Sequence, residues 1–207
     1  MLDVIIRGVT VVDGTGADAF VADVGLRDGR IAVVGSTAGE EAAEVIDGAG
    51  LVLCPGFVDP HTHYDAQLLW DPHGSPSNVH GVTTVISGNC GFTLAPLRAE
   101  DVDWTLEMMS EVEGMPLDAL RAGVGGGWTS FPEYLDQLDG RLGVNAAFLV
   151  GHCALRRFVM GERGSGNLAE PADVDAMKAL LGEALAAGAL GFSSSQSFTH
   201  NDGDGKP

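Results

Sequence analysis

The sequence predicts an α/β fold, the first half of a (β/α)8 TIM-like barrel preceded by a small β-sandwich segment. Three observations predict it. Short β-branched runs separated by Gly and Asp-Gly turns fill residues 1–55. Over residues 56–207 the pattern changes to apolar strands alternating with helical stretches, the signature of a parallel sheet covered by helices. Each of those strands is followed by polar or glycine-rich residues, as the active-site end of such a barrel requires. Four strands in that stretch make half of an eight-stranded barrel, which needs ~250 residues.

In order along the chain, Val4-Ile5-Ile6 and Thr10-Val11-Val12 read as two strands parted by Arg7-Gly8-Val9. Residues 23–27 and 30–34 flank Asp28-Gly29, a two-residue hairpin signal. Residues 45–47 and 51–53 complete what reads as an antiparallel module. The barrel strands are expected at 57–59, 82–87, 146–150 and 190–194, and the helices at 102–112, 131–138 and 171–187. In the last helix Val174, Met177, Leu181, Ala184 and Leu185 form one apolar stripe, Pro171 suits a first helical position and Gly188 a stop.

Composition narrows the function classes. A formal net charge of −18, with lysine only at Lys178 and Lys206, argues against nucleic acid and against anionic membrane surfaces. The start lacks the basic and apolar regions of a secretory signal, and no run approaches the roughly 18 apolar residues of a membrane span. Three scattered cysteines, Cys54, Cys90 and Cys153, are too few for a disulfide framework, so a reducing cytoplasm is expected.

The chemistry is concentrated at the ends of the four barrel strands. Pro55-Gly-Phe-Val-Asp-Pro-His-Thr-His-Tyr-Asp65 is an apolar strand ending in His-x-His, where residues two apart project the same way. His61 and His63 therefore make half of a metal site, with Asp65 lining it. The second strand delivers Ser87-Gly-Asn-Cys-Gly91, placing Cys90 where a thiolate reaches the same mouth and Asn89 beside it. His152 follows the third strand and Ser194 the fourth, both as site-lining candidates; a histidine packed under a loop is an equal reading of His152. A thiolate with imidazoles favours zinc over iron or manganese. Gly123–Gly127 lacks the Gly-Lys-Ser/Thr of a phosphate loop, and Ser193-Ser-Ser195 lacks a nucleophile-elbow pattern.

With these residues in place the chain resembles the amidohydrolase superfamily, in its N-acyl-D-amino-acid deacylase (D-aminoacylase) branch. Asp3-Val-Ile-Ile-Arg-Gly8, Pro55 to Asp65, Gly151-His-Cys-Ala-Leu-Arg156 and Gly188 to Ser194 resemble family segments. Ser87-Gly-Asn-Cys-Gly-Phe-Thr-Leu-Ala-Pro96 is the most diagnostic. In that branch a cysteine ligates the tight zinc where relatives use a carboxylated lysine, and this chain has no lysine before Lys178. The resemblance implies one tightly held zinc on Cys90, room for a second, weaker metal at His61 and His63, and a small-molecule N-acyl amino acid as substrate. It places two further histidines and the catalytic aspartate beyond Pro207, so that this chain alone is expected to be inactive. Gln196 onward departs from the typical deacylase form. Two other readings stay open: a fragment or split subunit that assembles with a C-terminal half or with itself, and a different amidohydrolase such as a cyclic amidase or deaminase.

Overall fold

A computed structural model describes residues 1–197 and 200. The chain divides into two compact units, Met1–Gly56 and a second beginning at Phe57.

In the first unit β1 (Leu2–Val11) is the middle of the sheet. β2 (Phe20–Arg27) runs antiparallel to it, and β3 (Arg30–Gly35) antiparallel to β2 across the Asp28-Gly29 turn. β4 (Ala42–Asp47) and β5 (Val52–Leu53) then lie parallel to β1 on its other side. The sheet is thus mixed, not the antiparallel module expected, because the chain leaving β3 crosses to the far edge of β1 and enters β4 in β1's own direction. The two strands expected at 4–6 and 10–12 are one. Gly8, at φ +63°, absorbs a register shift between Ile6 and Val9 without ending the strand. Its N–H is taken by the Asp23 carboxylate at 2.9 Å. Val9, Val11 and Val24 are buried together beneath the sheet.

The second unit is a four-stranded parallel sheet in the order β6 (Phe57–Asp59), β7 (Val82–Ser87), β8 (Asn145–Gly151) and β9 (Gly191–Ser193). This is the half barrel that strand–helix alternation predicts. Helices α1 (Val102–Glu113), α3 (Phe131–Leu138) and α5 (Pro171–Ala186) are where the apolar patterning places them. α3 starts at a capping box between Ser130 and Glu133. Only Met177 and Ala184 of the α5 stripe are fully buried, while Val174 and Leu185 stay exposed.

Two helices go beyond those the sequence pattern predicts. α2 (Leu117–Gly123) is two turns long, and α4 (His152–Met160) begins immediately at the end of β8, with no loop to announce it. The core joins Val85, Phe148 and Val150 of the sheet to Leu106, Met109, Leu120, Tyr134 and Leu155 of the helices. Tyr134 is fully buried, packs edge-on to Phe148, and donates its hydroxyl to the Asp65 carbonyl at 2.8 Å. That bond fixes the base of the segment carrying the two candidate histidines. No helix among the described residues is long and apolar enough to cross a membrane.

Candidate metal centre

β6 ends at Asp59, and the chain turns so that the Asp59 carboxylate accepts the His61 N–H at 3.1 Å. Thr62 then points inward. It is buried, its N–H and hydroxyl both bond the Ile86 carbonyl at 2.9 Å, and its hydroxyl meets that of Ser87 at 2.8 Å. Pinning the middle residue to β7 leaves His61 and His63 to flank it, their rings 5.5 Å apart in an edge arrangement.

After β7, Gly88, Cys90 and Gly91 all take left-handed backbone, at φ +83°, +58° and +91°. This coil lifts the Cys90 thiol to 3.3 Å from His61 Nε2. Ligand atoms of His61, His63 and Cys90 all lie within 4.8 Å of one another, and these are the residues among the described ones that could jointly hold a metal. Asn89 serves that geometry from below. Its side-chain amide donates to the Ile86 carbonyl at 3.0 Å and the Thr62 carbonyl at 3.4 Å, tying the cysteine loop to the histidine segment.

Glu113, the last residue of α1, brings Oε1 to 3.2 Å from His63 Nδ1. The contact lies within ion-pair reach but outside hydrogen-bond geometry, so the buried Nδ1 has no hydrogen-bond partner. No sequence pattern distinguishes this glutamate; it is absent from the expected site residues and emerges only because α1 ends over the strand tips.

The electrostatics suit a cation binding neutral donors. Burial first, then repulsion from His61 and His200, holds His63 below the usual imidazole range, which keeps it unprotonated and able to coordinate. Burial and the Glu113 carboxylate push the Cys90 thiol above the usual cysteine range. Burial likewise raises the Glu113 carboxyl, with His61 opposing. Asp65 is carried by the same segment but is buried under the centre, and neither carboxylate oxygen has a partner in hydrogen-bond geometry. Burial above all, with Glu113 adding to it, pushes its carboxyl up to about 7.

The remaining candidates form a second group. His152 is the first residue of α4, not the loop residue expected. Its Nδ1 lies 3.2 Å from the Ser194 hydroxyl and its ring packs edge-on to Phe192. Burial, then Arg156, holds it below the usual imidazole range. His152 and Ser195 border a cavity of 470 Å³ whose other walls include Phe92, Trp104, Met108 and Arg156. Ser195 bonds the Cys90 carbonyl at 2.6 Å, so this cavity adjoins the cysteine loop. Among the described residues His200 also borders it, with Nδ1 2.8 Å from the Ser195 hydroxyl. The structure therefore gathers His61, His63 and Cys90 into one cluster, puts Asn89 and Asp65 beneath it, and places His152 on the wall of the adjacent cavity, with Ser194 in hydrogen-bond contact with it but outside that wall.

Residues 44–205 match the family model described as an amidohydrolase family. An N-acyl-D-aspartate deacylase of Alcaligenes xylosoxydans xylosoxydans is 41% identical over 192 residues, 92% of this chain and 36% of the relative. A D-aminoacylase structure described by its binuclear metal centre aligns with a TM-score of 0.79 and 42% identity, covering 94% of this chain and 38% of that one. A Bordetella bronchiseptica N-acyl-D-glutamate deacylase, complexed with zinc and a phosphonate mimic of the tetrahedral intermediate, aligns with a TM-score of 0.77 and 35% identity over 93% of this chain and 38% of its own. The chain thus spans little more than a third of the length of the relatives it matches.

Proposed function

The chain belongs to the amidohydrolase family, and from that premise we propose that it contributes the metal-binding part of a zinc-dependent hydrolase of amide bonds, an N-acyl-D-amino-acid deacylase. The observation that carries the reading is the convergence of one thiol and two imidazoles within 4.8 Å at the tips of β6 and β7. Borderline-soft donors in that ratio fit zinc. A zinc ion held there supplies Lewis-acid polarisation of the amide carbonyl and activation of water.

The chain's own residues do the rest of what falls to them. His61, His63 and Cys90 supply donors, with one tight ion on Cys90 and a second, weaker one on the histidine side. Glu113 orients the His63 ring, as outer-shell carboxylates do. The cavity beside Cys90 receives the N-acyl amino acid, with Phe92, Trp104 and Met108 displacing water and Arg156 offering a guanidinium to the substrate carboxylate. Proton transfer is assigned to no residue of this chain; by resemblance those groups belong to the part of the relatives that this chain does not span. The expected setting is the cytoplasm.

Zinc analysis of the purified 207-residue protein beside a Cys90→Ala variant tests this. The reading expects about one zinc per chain, lost in the variant, and protection of that zinc by N-acyl-D-amino acids over their L-enantiomers. Zinc retained equally by both proteins would overturn it.

A second reading is favoured by the sheet itself. Among the described residues β6 and β9 are the two edge strands of the sheet, and Phe57, Val58, Leu190 and Phe192 beside them are exposed. Such edges recruit strands, so we also propose that this half sheet is completed by a further half chain or a second copy. Light scattering of the purified chain distinguishes a monomer from the paired state this reading expects.

A further inference from the structure

Cys90 does not hold its own geometry. A residue with a side chain at φ +58° is strained and persists only where its surroundings impose it. Here they come from a strand more than a hundred residues away. The buried Ser193 hydroxyl donates to the Gly88 carbonyl and accepts the Gly91 N–H at 3.0 Å. Two residues on, the Ser195 hydroxyl donates to the Cys90 carbonyl at 2.6 Å, and itself accepts from His200 Nδ1. Three hydrogen bonds from one side of β9 and its extension thus close on the four residues 88–91. Ser194, between the two, turns away to His152. On the opposite side the coil is wedged against β8: a Cβ on Gly88 would meet the Leu149 carbonyl at 2.3 Å, and one on Gly151 the Gly91 carbonyl at 2.4 Å.

We propose that Ser193 and Ser195 are positioning residues, a two-hydroxyl latch that holds the loop 88–91 in its left-handed coil and thereby aims the Cys90 thiol at His61. The proposal rests on the metal-site reading above for its consequence, but its geometry stands apart from it. Unlatched, the loop relaxes toward ordinary backbone and the thiol leaves the histidines, while His61 and His63 keep their place through Thr62.

The test uses Ser193→Ala, Ser195→Ala, Ser195→Thr and, as a neighbour control, Ser194→Ala, each checked for fold by circular dichroism. Zinc affinity is read by competition with a chromophoric chelator, and the cysteine bond by the thiolate charge-transfer absorption of added Cd²⁺. Hydrogen exchange of the Gly91 N–H is followed in the metal-free protein. We expect Ser193→Ala to speed Gly91 exchange, weaken zinc by ~10–100-fold and diminish the cadmium–thiolate band, the range seen when outer-shell partners are removed. Ser195→Ala should act in the same direction, Ser195→Thr should restore binding, and Ser194→Ala should leave zinc affinity and Gly91 exchange at the parental values. Folded Ser193→Ala and Ser195→Ala proteins with parental zinc affinity and parental Gly91 exchange would overturn the latch. A parent chain that holds no zinc counts against the metal reading instead, and Gly91 exchange then decides the latch alone. Should Ser193→Ala fail to fold, the solvent-exposed Ser195 carries the decision.

Discussion

The imidazole of His61 and the thiol of Cys90, 29 residues apart in the chain, meet at 3.3 Å. Neither belongs to a regular strand or helix interior; each is delivered by a turn that a neighbouring strand tip braces. The contact makes Cys90 the residue whose replacement says most. Cys90→Ala should weaken zinc by more than ~100-fold, beyond the ~10–100-fold cost of losing an outer-shell partner. Cys90→Asp, which offers an anionic oxygen and tolerates left-handed backbone, should retain more affinity than Cys90→Val, whose branched Cβ does not. Zinc titration of the three variants checks the order.

Glu113 stands within 3.2 Å of His63 Nδ1 without a formed hydrogen bond. Glu113→Gln keeps the shape and removes the charge. It should lower zinc affinity by ~10-fold while leaving the thermal midpoint close to the parent. Equal affinity would assign the glutamate to packing alone.

Gly88 cannot carry a side chain. Its φ of +83° and the 2.3 Å approach that an added Cβ would make to the Leu149 carbonyl act together. Gly88→Ala should cost about 2–4 kcal/mol in urea unfolding. Gly125→Ala, with open space around it, should cost far less.

Asp101 and Arg157 form a largely buried pair, Nε to Oδ1 at 2.6 Å, with the guanidinium 4.4 Å above the Trp104 ring. It joins the start of α1 to α4. Asp101→Ala strands the arginine and should cost about 3–5 kcal/mol, whereas replacing both residues by Leu and Met should recover most of that. Thermal unfolding of the single and double variants separates the two outcomes.

Asp23 gives the first unit a pH dependence. Hydrogen bonds from the Gly8 N–H, then the Thr37 N–H and hydroxyl, hold its carboxyl below the usual 3.8. The unfolded chain therefore binds the proton more tightly, so the stabilisation is complete above the unfolded value and is lost as pH falls through the folded one. The protection of the β1 and β2 amides relative to their intrinsic exchange rates, followed from neutral pH down past 3.8, should fall at the acid end, and Asp23→Asn should remove that fall.

How much of this is legible in the sequence follows from how local each signal is. The His-x-His spacing and Cys90 after an apolar strand are local patterns, and the structure brings those three together. Strand–helix alternation is local too, and it yields the parallel half barrel. The mixed character of the first sheet depends on which side of β1 the chain returns to, which no window of residues encodes. α4 escapes a reading of the sequence because its first residue is the one after β8, leaving no polar linker to mark a boundary. Glu113 and Ser193 look like any surface glutamate and any strand-end serine; their roles arise from neighbours 50 and about 100 residues away, visible only when the sheet is assembled.

The parallel order of the second sheet also sets a timetable for synthesis. His61, His63 and Cys90 follow two adjacent strands and leave the ribosome close together, whereas the Ser193 and Ser195 hydroxyls come about 103 and 105 residues after Cys90. At ~5–20 residues per second that interval is on the order of 5–20 s. During it the nascent thiol is without its brace and is not yet aimed at its histidines, so on the latch reading the metal site is completed only when β9 arrives.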